Sequence, residues 1–279
     1  MEQLFQYLDS LFAQGRTNEV EPWLCRQIEL AKQERDEDTL TVLLSELGGF
    51  YRGSGRLEES EQALKRAVGL EETRNHDKGI SFAVLLINLA GTLRMEKQTK
   101  EALELFERAE DILNVQGETG YRLASLYNNR SLVYQDMGRL EEALKELQKA
   151  LAIIEGCSGC GEELAVTYVN LALLLGSLNR GKEEEEAVIR ALALFEDIDH
   201  ENDPHYAAAL SALGGILYKK GELEQSLDAY NQALQMIYRL FGRSREYEMI
   251  SANIAMISEQ AQRKGSGADE RSGTGQGLL

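Results

Sequence analysis

Gly55-Arg56-Leu57-Glu58-Glu59-Ser60 returns as Gly138-Arg139-Leu140-Glu141-Glu142-Ala143 and again as Gly221-Glu222-Leu223-Glu224-Gln225-Ser226. Seven residues beyond each copy stands an alanine: Ala67, Ala150 and Ala233. Ala109 and Ala191 fill the same column between them, at successive spacings of 42, 41, 41 and 42 residues. A further copy, Gly15-Arg16-Thr17-Asn18-Glu19-Val20, precedes Gly55 by 40 residues. Self-similarity at a fixed period of this length marks an array of supersecondary repeats.

Each copy reads as two helices. Leu44, Leu47 and Tyr51, or Leu86, Leu89 and Leu93, recur at helical spacing on the first. Ala102, Leu105, Phe106 and Ala109, or Ala143, Leu144, Leu147 and Ala150, line the second. A small residue follows the central leucine in several copies (Gly48, Ala90, Ala172, Gly214), so the two antiparallel helices can approach closely. Gly15, Gly55, Gly138 and Gly221 mark the turn, where a helix end takes a left-handed backbone conformation. Asn179 holds that column in another copy. Lys97 is the exception, and a strained or differently shaped turn is expected there. One such pair cannot bury its own apolar face, whereas stacked neighbours can.

The expected fold is therefore all-α: a right-handed α-solenoid of about six helix–turn–helix repeats plus a C-terminal capping helix. The repeats fall at roughly 1–36, 37–78, 79–119, 120–160, 161–202 and 203–243, with the cap at 245–263. Residues 264–279, rich in glycine, are expected to form a disordered tail.

Composition agrees with this and excludes several functions. Only Pro22 and Pro204 interrupt a chain rich in good helix formers, and 43% of it is apolar. A net charge of −17 argues against binding to nucleic acid or to an anionic membrane, both of which need clustered Lys and Arg. Acidic solvated faces explain that charge; a basic partner is the sharper alternative. Met1-Glu2-Gln3-Leu4-Phe5 lacks the basic flank of a signal peptide, and no apolar run is long enough to span a bilayer. Three cysteines do not suggest a disulfide framework, so the cytoplasm is the expected compartment.

The run Leu47-Gly48-Gly49-Phe50-Tyr51, with Ala67 on the following helix, resembles the tetratricopeptide repeat. The period exceeds that family's usual length of about 34 residues. The lengthening resembles the kinesin-light-chain type, as do Glu19-Val20-Glu21-Pro22-Trp23-Leu24 and Tyr127-Asn128-Asn129-Arg130-Ser131-Leu132. The resemblance covers roughly residues 4–263. It implies that the first helices line a concave groove where a protein or peptide partner binds.

The column just before the central apolar residue of each first helix reads Glu46, Asn88, Asn129, Asn170, Ala212 and Asn253. Asparagine is a modest helix former, so four in six copies ask for a reason. A side-chain amide carries donors and an acceptor and can pair with the backbone of an extended guest whatever its sequence. The competing reading is that these amides bridge adjacent helices within the stack. Gly49, Gly91 and Gly215, three positions further on, are expected to leave room in the groove. Arg52, Arg94, Gln135 and Tyr218 occupy the next turn of that face, the two arginines forming a basic island or simply solvated charge.

Four other features invite functional readings. Arg130 stands in a column otherwise held by Leu47, Leu89, Leu171 and Leu213, and is expected to snorkel to the stack edge rather than pair with a carboxylate. Cys157 and Cys160 form a CxxC which, with His200 and His205 of the next inter-repeat loop, has zinc-ligand composition. A redox pair is a second reading and an incidental flexible loop the default. Glu183 to Glu186 open a second helix, where the helix dipole favours negative charge. No phosphate loop, nucleophile elbow or metalloprotease helix is present. The expectation is a non-catalytic adaptor or scaffold without a cofactor, binding a protein or peptide. The alternative is a homo-oligomeric assembly protein associating through end surfaces such as Phe5, Leu8 and Phe12.

Overall fold

The computed structural model describes residues 2–198 and 203–272. Among them every regular element is a helix, and the thirteen helices form six antiparallel pairs and a cap. The pairs are α1 (Glu2–Ala13) with α2 (Thr17–Glu34), α3 (Glu37–Gly53) with α4 (Leu57–Thr73), and α5 (Ile80–Met95) with α6 (Thr99–Val115). They continue as α7 (Tyr121–Asp136) with α8 (Leu140–Ile154), α9 (Gly161–Ser177) with α10 (Gly181–Glu196), and α11 (Pro204–Lys220) with α12 (Leu223–Phe241). The cap is α13 (Arg245–Ser272), helical past residue 263, where the tail is expected to begin. Residues 273–279 lie outside the described part.

The chain divides into two compact units, Met1–Ile153 and Ile154–Leu279. In the first, each helix packs on its successor from α1 through α7, and the first helices also touch one another, α3 on α5 and α5 on α7. In the second, α9 to α13 pack in the same order and α9 touches α11. Each unit therefore has a layer of adjacent first helices, and those helices carry the candidate site.

The alanine column is the innermost seam: Ala67, Ala109, Ala150, Ala191 and Ala233 are all 0% exposed. Large apolar side chains fill the space beside it, with Leu64, Phe82, Phe106 and Phe195 equally inaccessible; each such burial contributes roughly 1.5–3 kcal/mol. The small residue after the central leucine sets the spacing of the pair. A Cβ at Gly48 would lie 2.5 Å from Leu64 Cγ, and one at Gly214 would lie 2.7 Å from Tyr230 Cδ2. A clasp closes over each of these glycines: the hydroxyls of Ser60 and Ser226 donate to the carbonyls of Gly48 and Gly214, each at 2.7 Å.

All six turns adopt the same left-handed geometry, with φ of +67° at Gly15, +75° at Gly55, +72° at Gly138 and +82° at Gly221. Asn179 (φ +58°) and Lys97 (φ +67°) take it too, so the Lys97 turn keeps the common shape and differs only in forcing a side chain into that region. Asp203 caps α11 by accepting from the His205 backbone N–H at 2.7 Å, with Pro204 in the first turn.

Arg130 does not snorkel. It is 5% exposed and donates to Glu146 through Nε (2.7 Å) and to Glu110 through Nη1 (2.5 Å), with Tyr127 beneath it. The reason is local. Glu146 stands in the column of Ala63, Leu105, Ala187 and Ala229, and Glu110 in that of Val68, Leu151, Leu192 and Leu234. The fourth repeat thus replaces an apolar contact by a buried ion cluster. Burial pushes the Glu110 carboxyl up, but the bonds from Arg130 and Tyr127 outweigh it and hold it below the usual carboxylate range.

Candidate functional site

In the first unit, α3, α5 and α7 lie side by side and place Glu46, Asn88 and Asn129 one to a helix. A cleft of ≈ 610 Å³ spans these helices, lined by Asp38, Ser45 and Glu46 of α3, Leu85 of α5, and Tyr121 and Arg122 of α7. Glu71 and His76 close one side of it. The Asn88 amide donates to Ser45 Oγ at 3.3 Å, bridging α5 to α3. The Asn129 amide turns back on its own helix and donates to the Ser125 carbonyl at 2.9 Å.

Glu46 is half-buried beside Leu4, Phe5 and Leu8 of α1. Burial, and then the nearby Asp9, push its carboxyl above the usual range. Six residues on, Arg52 is half-buried and donates through Nη1 to the Asn88 carbonyl at 2.9 Å. Burial, and then repulsion from Arg94, pull the Arg52 guanidinium below its ordinary value. The two arginines differ: Arg94 pairs with Asp136 at 2.9 Å, while Arg52 has no carboxylate among the described residues. The buried Gln135 Nε2 finds no acceptor there.

In the second unit, Asn170 is half-buried on α9. Asn253 of α13 hydrogen-bonds the Tyr230 hydroxyl of α12, and Tyr218 of α11 donates to Gln260 of α13 at 2.8 Å. Burial is what raises the Tyr230 hydroxyl, with Asn253 opposing. Asn253 and Tyr218 thus hold the cap to the last pair. Nor do all three glycines leave room. Nothing lies within 4 Å of a Cβ at Gly49, but at Gly91 it would meet Arg52 Nη1 at 3.1 Å and at Gly215 the Tyr230 hydroxyl at 3.3 Å.

Ser45 and Asp136, partners of Asn88 and Arg94, were not distinguishable in the sequence. Their role depends on the sideways register between neighbouring first helices. The zinc grouping is not assembled among the described residues. Cys157 and Cys160 are joined as a disulfide, which leaves neither sulfur as the thiolate that zinc requires, and His200 lies outside the described part. Asp38, Glu71 and His76 do converge within 4.8 Å. Arg74 already occupies that cluster, at 2.6 Å from Asp38 and 3.2 Å from Glu71. Among the described residues no helix is long and apolar enough to cross a membrane.

These features define a helical-repeat protein whose first helices present a polar, partly desolvated face. The tetratricopeptide repeat model matches residues 38–114, 122–197 and 163–239, well over half of the chain, and the chain belongs to that family. No curated protein sequence matches it. In fold it is similar to BtubC (BKLC) from P. vanneervenii, at 21% identity over 70% of this chain and 80% of that one, with a TM-score of 0.60. It is also similar to the nearly identical TPR-like repeats of a putative kinesin light chain from Podosopora anserina (20% identity, 72% and 96% covered, TM-score 0.53). A third similar structure is a Rap protein complexed with Competence and Sporulation Factor (22% identity, TM-score 0.63). That match takes in 79% of this chain but only 58% of the Rap chain.

Proposed function

We propose that the chain is a non-catalytic adaptor that binds an extended segment of a protein or peptide across the first helices α3, α5 and α7. The observation that carries this reading is the cleft of ≈ 610 Å³ that spans three adjacent first helices, lined by Ser45 and Glu46 of α3, Leu85 of α5 and Tyr121 and Arg122 of α7, with the Asn88 amide held on Ser45 at its wall. A repeat array recognises partners by such extended surfaces. The similar Rap structure, complexed with Competence and Sporulation Factor, is consistent with a fold that holds a second molecule. Asn88 and Asn129 keep acceptor oxygens and spare N–H groups beyond the bonds already described, enough to meet a guest backbone.

Replacing Asn88, Asn129 and Asn170 together by Ala tests it. Affinity capture with the intact protein, followed by mass spectrometry, should recover a partner that the triple variant loses while its helical circular dichroism is unchanged. Recovery of the same partner by the triple variant refutes the assignment. The oligomeric alternative keeps one specific support: Phe5, Tyr7 and Phe12 of α1 are exposed, whereas Leu8 is buried in the core and drops out of that surface. Light scattering that finds only monomer at high concentration removes it.

A further inference from the structure

Glu46 and Arg52 are opposite charges on one helix, both half-buried, and neither forms an ion pair among the described residues. That is unexpected in this protein. Arginines without an ion pair, such as Arg26, Arg35 and Arg66, are exposed, whereas the half-buried or buried Arg56, Arg74, Arg94, Arg108, Arg122, Arg130 and Arg180 all have carboxylate partners, and acidic residues outnumber basic ones by 47 to 30. A desolvated charge without a counter-charge costs stability, and its local environment shifts both groups toward their neutral forms. Groups kept at such a cost are expected at binding sites, where the compensation arrives with the ligand.

Their placement says what that ligand must carry. Six residues of α-helix separate the two by about 9 Å along the axis. Asn88 lies between them, its amide on Ser45 next to Glu46 and its carbonyl on Arg52. That separation lies across a guest that crosses the first helices, and it is met by neighbouring side chains, which point to opposite sides of an extended strand. Gly49, one helical turn from both, leaves open space above the backbone. Arg52 rests on Gly91 and on a backbone carbonyl, so four of its five N–H groups remain for an anion.

We propose that the guest is a charge-paired extended segment, with a Lys or Arg over Glu46 and an Asp or Glu over Arg52, the two adjacent in its sequence. This rests on the groove reading above and deepens it: the asparagines hold the backbone and the two charges on α3 select the side chains. Purely acidic or purely basic segments satisfy one charge and leave the other buried and unpaired, which is how the site rejects them.

The test is selection of short random peptides, displayed on phage, against the full-length protein. The wild type should enrich peptides with a cation and an anion at the stated spacing. Glu46→Gln should abolish enrichment of the cation alone, and Arg52→Gln that of the anion alone. Each change should weaken the best peptide by at least about tenfold. Glu46→Lys should instead select an acid at the former cation position, a gain that misfolding cannot imitate. Binders without the charge pattern, or with the same pattern on both variants, overturn the inference and leave the groove reading standing. Failure to recover more binders than the triple asparagine variant overturns both.

Discussion

Replacing Arg130 by Leu restores the residue found in that column at Leu47, Leu89, Leu171 and Leu213, and it is nonetheless expected to destabilise the protein. The change removes the Nε and Nη1 bonds and a third contact, Nη2 to Glu146 at 2.6 Å. Glu146, with a side chain 7% exposed, keeps only Lys149 at 2.8 Å, and Glu110 keeps the Tyr127 hydroxyl at 2.9 Å. Removing one partner of a buried ion pair typically costs about 3–5 kcal/mol. The contacts that survive should reduce this to about 2–3 kcal/mol. With a urea slope of about 2 kcal/mol per molar, the midpoint followed by far-ultraviolet circular dichroism should fall by about 1–1.5 M. Adding Glu146→Ala gives the fourth repeat the Leu and Ala that fill these two columns as Leu47 and Ala63, Leu171 and Ala187, and Leu213 and Ala229. The double variant should recover about half or more of that loss, because apolar replacement of the Arg130–Glu146 pair is often neutral while Glu110 still lacks its arginine. If the two single changes simply add, or if Arg130→Leu costs less than about 1 kcal/mol, the cluster is not a coupled buried pair.

Three further outcomes follow from the geometry. Lys97→Gly should stabilise by about 0.5–1 kcal/mol, since relief of the left-handed side chain exceeds the added chain entropy; thermal unfolding measures it. The neighbouring substitutions Gly48→Ala and Gly49→Ala should have opposite signs. The first collides with Leu64 and should cost about 1–3 kcal/mol, while the second meets nothing and should gain up to about 1 kcal/mol of helix propensity. Finally, two half-buried carboxyls titrate in opposite senses. The raised Glu46 group favours the folded state below its unfolded pKa and loses that advantage as pH rises through its folded value. Glu46→Gln should therefore raise the urea midpoint at pH 7, with the gain vanishing near pH 4. The lowered Glu110 group contributes above its unfolded pKa, and that contribution disappears as pH falls through its lower folded value. An equal gain for Glu46→Gln at both pH values refutes the assignment.

The register of the fold was readable because one residue type, alanine, must recur wherever two helices cross most closely. Its column is inaccessible throughout. The first-helix face was readable for the same reason, as a column offset from that seam. What escaped was everything set by neighbours outside the column. Arg130 draws its partners from two different second helices, 20 and 16 residues away, and only the joint departure of Glu110 and Glu146 from apolar columns signals them. Arg52 bonds a backbone carbonyl, an acceptor that every residue has and no side chain reveals. At Lys97 a departure in residue type brings no departure in shape, because backbone hydrogen bonds fix the turn and the side chain follows.

The hydroxyl clasp of the second repeat recurs 166 residues later in the sixth, with Gly214 for Gly48, Gly221 for Gly55, Ser226 for Ser60 and Tyr230 for Leu64. The turn glycine falls between the two halves of the clasp. A genetic crossover that joins Gly55 to Glu222 therefore separates Gly48 from Ser60 and at once supplies Ser226 in its place. The hybrid pair regains its hydroxyl, its close approach and its alanine seam without any new residue. Unequal exchange at these turns can shorten or lengthen the gene by whole repeats while each product keeps a working joint, so the number of repeats is a quantity that inheritance can change in single steps.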